Sequence, residues 1–495
     1  MSDFRQRTDG ESVQQWMDRR VGQVLSGAGV DFHCTAALGK DSAQTRIVFE
    51  TSDKRPKGDV KLVDGELHVS LGKEPKKMFP EDVMSLFGKV TLKAQGLGSK
   101  QVVFRLPDEG IDAKFAAMGV QTALLRADEL QTKVKDLGIE DVTFFAEEGQ
   151  FAAINRGLEL ARAANTSRFL TAMPPNLLTV DTFFNLANKH FSDLDAEFLG
   201  RNGEPTDDEY AKMGMLGAVA AGNGGNRRVL AIRLDPLSGP TEKVVAYVGK
   251  TLVFDAGGLN IKGTHARTMK GDMGGGASLF GSATYLAMNR QLLKRSVVFV
   301  WTITENVIGP EAYRPDDVLT AFNGTTVEVD NTDAEVRLAL GDAMAWICTQ
   351  VKVQQLVPVC TLTGAAVVAL GTSATAMHLK DSRTRLSEVR QLEDLSFRCG
   401  DSMNILHHYP EAAAALASNI ADVKNAGGSN RGAGSSQGFA FLLNFAPEGV
   451  DVMELDIAGK SGNFSNGSGV QTGTSLPAAV WFTIGRESSY EAPVK

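Results

Sequence analysis

Long hydrophobic runs in the second half of the chain predict a buried β-sheet. These runs lie at residues 227–236, 242–249, 295–306, 353–364 and 450–459. Strands that helices cover on both faces are hydrophobic almost without interruption, whereas strands with one face in water alternate. Helical patterns at residues 275–295 and 338–350 lie between some of the runs. The second half of the chain is therefore predicted to be a larger α/β domain in which helices cover a mixed sheet.

Shorter β-rich runs in the first 150 residues predict a small N-terminal α/β domain. Its predicted strands are residues 45–50, 59–64, 66–71, 100–107 and 141–148. Residues 112–138 have apolar positions every three or four residues, which is the spacing of one face of a helix. Strands and helices that alternate along a chain are typical of α/β domains.

Residues 151–172 carry the pattern of one long helix, and Pro174 and Pro175 follow it. Proline has no backbone N–H, and the residue before a proline disfavours the α conformation, so the helix is expected to end there. We interpret this helix as the connector between an N-terminal domain of residues 1–150 and a C-terminal domain of residues 173–495.

Length and charge narrow the possible classes of protein. A chain of 495 residues is longer than one hydrophobic core usually organises, so two or more domains are expected. The net charge of −8 argues against nucleic acid as the main partner, because a phosphate-binding surface needs a basic excess. The sequence has no uninterrupted run of the roughly 18 apolar residues that a spanning helix needs, so no membrane association is expected.

Two further features favour a cytoplasmic protein. The N-terminal segment lacks the apolar stretch of a secretory signal. The cysteines, Cys34, Cys348, Cys360 and Cys399, are scattered without regular spacing. Scattered cysteines of this kind indicate free thiols in a reducing compartment rather than disulfides or a zinc site.

Two charged segments that contain glycines, residues 248–276 and 331–343, form the candidate site. Their charged candidates are Lys250, Asp255, Lys262, Asp272, Asp333, Glu335 and Arg337. If residues 333–337 are extended, a period of two places Asp333, Glu335 and Arg337 on one face. A cluster of carboxylates suits a pair of divalent cations. The alternative is that the aspartates and glycines form ordinary turns whose charges are solvated.

The motifs in these segments resemble those of the M17 leucyl aminopeptidase family. They read VGKTLVFDAGGLNIK at residues 248–262, MKGDMGG at residues 269–275 and NTDAEVRL at residues 331–338. The resemblance implies a two-metal enzyme that hydrolyses the N-terminal residue of peptides. The implied ions are Zn²⁺, Mn²⁺ or Co²⁺, and the implied metal ligands are Lys250, Asp255, Asp272, Asp333 and Glu335.

The same resemblance assigns roles to two cations and to a specificity pocket. Lys262 is implied to stabilise the oxyanion, and Arg337 to hold a bicarbonate that relays the proton. His265 is the nearest histidine that could act as the base instead. The implied substrate-binding residues are Met269, Asn331, Ala334, Thr361 and Ala458. The mostly apolar pocket implies a preference for leucine and other apolar residues, and the family's assembly implies a homohexamer.

Lys250 has a competing interpretation, because only a neutral amine can bind a metal ion. Two nearby dications would favour that form by lowering the pKa of the lysine. The alternative is a structural ion pair between Lys250 and Asp255.

The glycine- and serine-rich stretches at residues 425–438 and 459–475 are expected to be loops. The resemblance places both beside the active site and a subunit interface. The family motif S-x-x-AD-x-x-N ends at Asn425, the first residue of the first stretch.

Several positions depart from the family pattern. They are Ala256, Val336, Gly341, Glu454 and Ser461. Val336 bears most on activity, because it replaces a glycine and valine disfavours positive φ. We expect Val336 to have a negative φ and to point away from the metals. The alternative function is a catalytically impaired relative with a structural or regulatory role.

Overall fold

The computed structural model describes most of the chain. The described residues are 11–27, 30–35, 44–50, 57–63, 66–71, 78–107, 110–125, 138–242, 244–427, 433–460 and 479–488. They divide into two compact units. The smaller unit contains residues 19–169, and the larger unit contains residues 11–18 together with the described residues from Leu170 onward. The departure at Ser461 lies outside the described residues, as do parts of both glycine- and serine-rich stretches.

A six-stranded sheet forms the centre of the smaller unit. Its strands are β1 (Asp31–Thr35), β2 (Thr45–Glu50), β3 (Val60–Val63), β4 (Glu66–Ser70), β5 (Gln101–Arg105) and β6 (Asp141–Phe145). Their order is β1-β6-β5-β2-β4-β3, and all neighbours are parallel except β3 and β4. The five predicted strands are confirmed. β1 was not predicted, because its half-exposed, partly polar residues give no hydrophobic run.

Helices α1 (Val13–Ser26), α2 (Pro80–Gly96), α3 (Ala113–Ala123) and α4 (Phe151–Ala172) accompany this sheet in the chain. The side chain of Asp112 caps α3 by accepting a hydrogen bond from the backbone N–H of Lys114. The predicted helix at residues 112–138 was too long, because α3 ends at Ala123; residues 126–137 lie outside the described residues. The long helix at residues 151–172 is confirmed as α4.

The boundary between the two compact units falls inside the last turn of α4, between Phe169 and Leu170. The role of α4 as a connector and the assignment of residues 173–495 as the catalytic domain remain predictions.

An eight-stranded mixed sheet forms the centre of the larger unit. The strands of this unit are β7 (Glu197–Phe198), β8 (Arg228–Leu234), β9 (Val244–Asp255), β10 (Val297–Asn306), β11 (Val318–Thr320), β12 (Thr326–Glu328), β13 (Val353–Cys360), β14 (Thr375–Leu379), β15 (Met403–Ile405), β16 (Val423–Lys424) and β17 (Asp451–Asp456). The order in the large sheet is β15-β14-β17-β13-β9-β10-β8-β7, and β11, β12 and β16 form a separate small sheet. β9 is parallel to both of its neighbours, β10 and β13.

The helices of the larger unit are interspersed with these strands along the chain. They are α5 (Val180–Asp193), α6 (Asp207–Lys212), α7 (Gly214–Ala221), α8 (Gly274–Met288), α9 (Glu335–Gln350), α10 (Gly364–Leu370), α11 (Leu386–Cys399), α12 (Pro410–Ala414), α13 (Gly434–Leu442) and α14 (Val480–Glu487). α8 and α9 confirm the two helical patterns of this half of the sequence. Both begin earlier than predicted, α9 by three residues.

Helices cover both faces of the large sheet, as the continuous hydrophobic runs indicated. On one face Val244, Ala246 and Val248 of β9 pack in a core with residues of α7 and α9. On the other face α8 approaches so closely that a side chain on Gly249 would lie 2.9 Å from Leu279. The mixed α/β architecture predicted from the sequence is confirmed.

Cys34, Cys348, Cys360 and Cys399 are all free thiols. No helix within the described ranges has both the length and the hydropathy needed to cross a membrane.

Candidate metal centre

Six charged side chains of the two motif segments meet at the carboxyl end of β9. Lys250 and Asp255 lie on β9 itself, and Lys262 lies on the loop that follows. Asp272 lies between the 3₁₀ helix of Gly263–Gly271 and α8. Asp333 and Glu335 lie in the turn before α9 and at its first residue. The carboxyl ends of parallel strands are where open α/β sheets bind ligands.

Lys250 is buried and surrounded by oxygen atoms. Its ammonium nitrogen lies 2.7 Å from an oxygen of Asp272 and 3.2 Å from one of Glu335. It also donates a hydrogen bond of 3.0 Å to the carbonyl of Thr361. The sequence suggested Asp255 as the alternative ion-pair partner. The ion-pair partners in the structure are Asp272 and Glu335 instead.

Lys262 joins the two segments on the opposite side of the cluster. Its ammonium group lies 2.8 Å from an oxygen of Asp255 and also forms a close ion pair with Asp333. The side chain of Lys262 is 16% exposed, compared with 2% for Lys250. Of the two lysines, Lys262 is therefore the one whose ammonium group a bound molecule can reach.

Glycines let the chain turn and pack closely around this cluster. Gly257 and Gly258 lie shortly after the end of β9. Their φ angles are 87° and 60°, which glycine adopts without strain. The N–H of Gly257 donates a 2.8 Å hydrogen bond to Asp255. At the start of α8, a side chain on Gly275 would lie 2.0 Å from the carbonyl oxygen of Val359. Glycine there allows the helix to rest directly on β13.

Asn306, which the sequence analysis did not single out, connects the two ligand segments. Its fully buried amide donates to Asp255 at 2.9 Å and to the backbone carbonyl of Thr332 at 3.0 Å. The hydroxyl of Tyr313 donates to the same carbonyl at 2.7 Å. Asn306 ends the buried strand β10 beside β9, and a polar residue at that position was a signal that could have identified it.

The carboxylates of the cluster repel one another in the absence of other cations. Burial raises the pKa of Asp255 well above its usual range, and the neighbouring Glu335 and Asp272 raise it further. Burial also raises the pKa of Glu335, although Lys250 and Lys262 act in the opposite direction. Four carboxylates here face only two ammonium groups, so the cluster favours further positive charge.

Asp272 and Lys250 form the complementary ion pair of the cluster. Burial favours the neutral form of Asp272, but Lys250 and Lys262 outweigh it and lower the pKa of Asp272 to about 2. Burial alone would lower the pKa of Lys250, whereas Asp272, Glu335 and Asp255 raise it, and the net shift is upward. Binding of a metal ion by the Lys250 amine must therefore displace a proton that these carboxylates stabilise.

The oxygen atoms of the cluster fit divalent cations. Within the described part of the chain, one oxygen each of Asp255, Asp272, Asp333 and Glu335 has a lysine ammonium group as its neighbour, and the second oxygen of Glu335 has no hydrogen-bond partner. Buried carboxylates need compensating positive charge, and here four carboxylates, three of them buried, share two lysines. Oxygens of Asp255, Asp333 and Glu335 lie within 4.8 Å of one another. Hard cations such as Mn²⁺ favour oxygen ligands in this arrangement.

The expected extended conformation of residues 333–337 is wrong. Asp333 lies in a turn, and Glu335 begins α9, so Glu335 and Arg337 lie in the first helical turn. A run of five residues is too short for its charge pattern to distinguish a strand from the start of a helix. An acidic residue in the first turn favours a helix, because it interacts with the positive end of the helix dipole.

Val336 behaves as expected despite the change of conformation. It has a helical conformation with negative φ, and its side chain is 2% exposed within the hydrophobic core. Its side chain therefore packs away from the carboxylate cluster, and no distortion of the backbone accompanies the change from glycine.

We expect Val336→Gly to affect stability more than catalysis. The substitution removes a buried side chain and places glycine in a helix, which together cost roughly 2–4 kcal/mol of unfolding free energy. Because Val336 contacts no reacting group, kcat should change by less than about tenfold. Thermal unfolding and turnover of a leucyl anilide would measure both effects. A kcat that rises several hundredfold would show that the natural valine impairs the site.

Arg337 is buried beside the cluster and has few partners. One guanidinium nitrogen donates to the carbonyl of Asn425 at 2.8 Å, whereas Nε has no hydrogen-bond acceptor within the described ranges. Burial lowers the pKa of Arg337, while the carboxylates of Glu454 and Glu335 raise it. A buried guanidinium with a free N–H has the chemistry of an anion-binding group.

The five substrate-pocket candidates lie on different segments of the larger unit. Met269, Ala334, Thr361 and Ala458 are buried, and Asn331 is half-buried. Thr361 contacts the cluster directly, because its hydroxyl donates to Asp272 and its carbonyl accepts from Lys250. Asn331 and Ala334 lie in the same turn as Asp333. Their role in substrate binding remains a prediction.

Two further departures from the family pattern are buried. Glu454 is fully buried on β17, and the thiol of Cys360 is its closest hydrogen-bond donor, at 3.8 Å. Burial and the nearby Asp456 raise the pKa of Glu454 well above its usual range. Gly341 leaves room for the ring of Phe445, which would lie 2.8 Å from an added side chain. Neither residue is a proposed ligand. His265, on the 3₁₀ helix, is exposed.

Comparisons with known proteins identify the family. The model of the cytosol aminopeptidase family's catalytic domain matches residues 165–480. The chain belongs to the cytosol aminopeptidase family. A probable cytosol aminopeptidase of Nostoc punctiforme is 33% identical over 460 residues, which cover 90% of this chain and 89% of that protein. One of Synechococcus is 34% identical and covers 77% of each chain. Membership of this family makes the protein a peptidase.

Solved structures confirm the fold of this family. The bottromycin maturation enzyme BotP in complex with Mn has a TM-score of 0.75 at 24% identity and covers 90% of this chain and 100% of its own. A mutant of tomato leucine aminopeptidase has a TM-score of 0.75 at 23% identity and covers 92% of this chain and 96% of its own.

Proposed function

We propose that this member of the cytosol aminopeptidase family is a two-metal aminopeptidase that removes N-terminal residues, preferably leucine and other apolar residues, from peptides. The proposal rests on one observation: four carboxylates, three of them buried, meet at the end of β9 with two lysines as their cationic partners. Lys250, Asp255, Asp272, Asp333 and Glu335 would hold the ions. Zn²⁺, Mn²⁺ and Co²⁺ suit this set of oxygen atoms and one amine.

Two divalent ions at this site would activate a water molecule and polarise the scissile carbonyl. The protein contributes the position of its ligands, which the buried strand β9, Asn306 and the first turn of α9 hold. Lys250 must lose its proton to serve as a ligand, and the added positive charge of two ions would favour that loss.

Lys262 and Arg337 would act on the reaction without binding the metals. Lys262 is the more exposed ammonium group, and in the proposed mechanism it stabilises the oxyanion that develops on the substrate. Arg337 would hold a bicarbonate through its unpaired N–H, and this anion would relay the proton from the water to the leaving amine. No histidine contacts the cluster within the described ranges, which favours an external base.

The substrate's side chain would enter a mostly apolar pocket. Met269, Asn331, Ala334, Thr361 and Ala458 would line this pocket. Their small or apolar side chains favour leucine and similar residues through burial of apolar surface. The family resemblance also supports a cytoplasmic homohexamer.

Selectivity for a free N-terminus tests the proposed activity. In the proposed site one metal ion would take the free α-amine of the peptide as a ligand, whereas the nitrogen of an acetylated N-terminus is an amide without a basic lone pair. We therefore expect Leu-Gly-Gly to release leucine and N-acetyl-Leu-Gly-Gly to be refused, with a difference of at least about 10³-fold in kcat/KM. Mass spectrometry of the products would measure both reactions. Efficient cleavage of the acetylated peptide, or cleavage at an internal bond, would contradict the proposal.

A further inference from the structure

One buried asparagine from a distant part of the chain makes four hydrogen bonds to the ligand turn, defined here as residues 330–334. Asn425 is 0% exposed and lies directly after the short strand β16. Its side-chain oxygen accepts hydrogen bonds from the backbone N–H groups of Asp330 at 2.7 Å and Asn331 at 3.1 Å. Its amide nitrogen donates to the carbonyls of Asn331 at 2.7 Å and Ala334 at 3.4 Å. The side chain thus both accepts hydrogen bonds from backbone N–H groups of this turn and donates to its carbonyls, as the backbone of a neighbouring strand does in a sheet.

The main chain of the same residue holds Arg337. The carbonyl of Asn425 accepts the 2.8 Å hydrogen bond from the Arg337 guanidinium. Asn425 is therefore bonded both to the segment that carries Asp333 and to the cation in the first turn of α9. These two groups have different proposed roles, yet both are bonded to one residue.

The position of Asn425 is itself fixed by the small sheet. Its N–H donates to the carbonyl of Glu328 at 3.0 Å, which continues the parallel pairing of β12 with β16. An ion pair of 3.0 Å between Lys424 and Glu328 reinforces that pairing. The small sheet of β11, β12 and β16 thus serves as the support from which Asn425 reaches the site.

We propose that Asn425 is a positioning residue for catalysis, which sets the ligand turn through its side chain and Arg337 through its carbonyl. The inference rests on the proposed two-metal function. Residues that orient metal ligands typically contribute 10–100-fold to metal affinity or activity. A residue with a merely structural role would lower thermal stability without affecting metal affinity at temperatures where the protein is folded.

Metal affinity of the folded protein separates these roles. Asn425→Ala removes all four side-chain hydrogen bonds to the ligand turn but keeps the carbonyl. We expect its affinity for Mn²⁺, measured by calorimetry on chelator-treated protein, to fall by about 10–100-fold. We also expect kcat at saturating Mn²⁺ to fall, because the backbone carbonyl that accepts the hydrogen bond from Arg337 is then held less firmly.

The matched control is Asn323→Ala. Asn323 lies in the turn between β11 and β12. Its side-chain amide donates to the backbone carbonyl of Asn444 at 3.0 Å and accepts from the backbone N–H of Thr325 at 3.2 Å. It belongs to the same support but has no hydrogen bond to the ligand turn. Because Asn323 is exposed, this variant should lose less stability than Asn425→Ala, and it should bind Mn²⁺ as the unmodified protein does.

The possible outcomes are distinct. Unchanged Mn²⁺ affinity and kcat in Asn425→Ala would overturn the inference alone. Absence of Mn²⁺ binding by the unmodified protein would overturn the proposed two-metal function, and the inference with it. If Asn425→Ala does not fold, Asn425→Ser carries the test, with an expected loss of several-fold in affinity. Equal affinity in the serine variant would also overturn the inference.

Discussion

Replacing Glu335 with alanine is expected to remove bound metal and activity together. Glu335 is fully buried; Lys250 contacts one of its oxygens, and the other oxygen has no hydrogen-bond partner in the described structure. Loss of a ligand from this position leaves the remaining carboxylates unable to hold both ions. Two-metal catalysis contributes several kcal/mol, so kcat/KM should fall by more than about 10³-fold. Elemental analysis and leucyl-anilide turnover of the same preparation would test both effects.

A second buried acid on the same helix provides the control. The carboxylate of Asp342 accepts hydrogen bonds from the backbone N–H groups of Leu216 and Phe322 at 2.9 and 2.8 Å. Asp342→Asn should lower thermal stability but retain the metal content and most of the kcat. Glu335→Gln, which keeps the size and removes the charge, should behave like Glu335→Ala. Retention of both ions and of full activity in the Glu335 variants would refute its role as a ligand.

Lys262→Ala is expected to lower kcat by roughly 10²–10³-fold while metal content remains nearly intact. That magnitude is typical for loss of one group that stabilises an oxyanion. The substitution removes a positive charge from beside Asp255 and Asp333, so it should not weaken the attraction of these carboxylates for divalent ions. Steady-state kinetics at saturating metal give kcat and KM separately. Loss of a contact to the transition state lowers kcat.

Lys270 offers a comparison within the same segment. Its ammonium group donates to the backbone carbonyl of Ala172 at 2.6 Å. Lys270→Ala should therefore affect stability, with kcat within a few-fold of the unmodified protein. If Lys262→Ala raised KM and left kcat unchanged, Lys262 would bind substrate in the ground state instead of stabilising the transition state.

The sequence predicted the architecture well where hydrophobic patterns were long. The central strands β9 and β10 and the helices α8 and α9 follow from continuous apolar runs and helical periodicity. β1 and the true start of α9 did not follow, because a five-residue segment with mixed polarity fits several conformations. The proximity of Lys250, Asp255, Asp272, Asp333 and Glu335 was anticipated by the motifs, whereas their local conformation was not.

Asn306 and Asn425 show why part of the site could not be predicted. Each acts through hydrogen bonds to backbone groups that are far away in the sequence, and an asparagine has no charge pattern to identify it. Asn425 was visible within a family motif, but its function became apparent only from its bonds to the ligand turn and to Arg337. Glu454 is similar, because its burial near Arg337 depends on the pairing of distant strands.

The alternative of a catalytically impaired relative is not favoured. All five proposed ligands are present and six charged groups of the site meet as ion pairs. Val336, the substitution that raised this alternative, packs into the core with an ordinary backbone conformation.

Stoichiometric restoration of the protein with metal tests the central claim most directly. Protein stripped with a chelator should be inactive towards a leucyl anilide. Mn²⁺ would then be added in steps, with bound ions per chain and turnover measured on each sample. We predict that turnover returns with the bound metal and reaches its maximum at two ions per chain. Full turnover by the metal-free protein, or two bound ions per chain without turnover, would contradict the account.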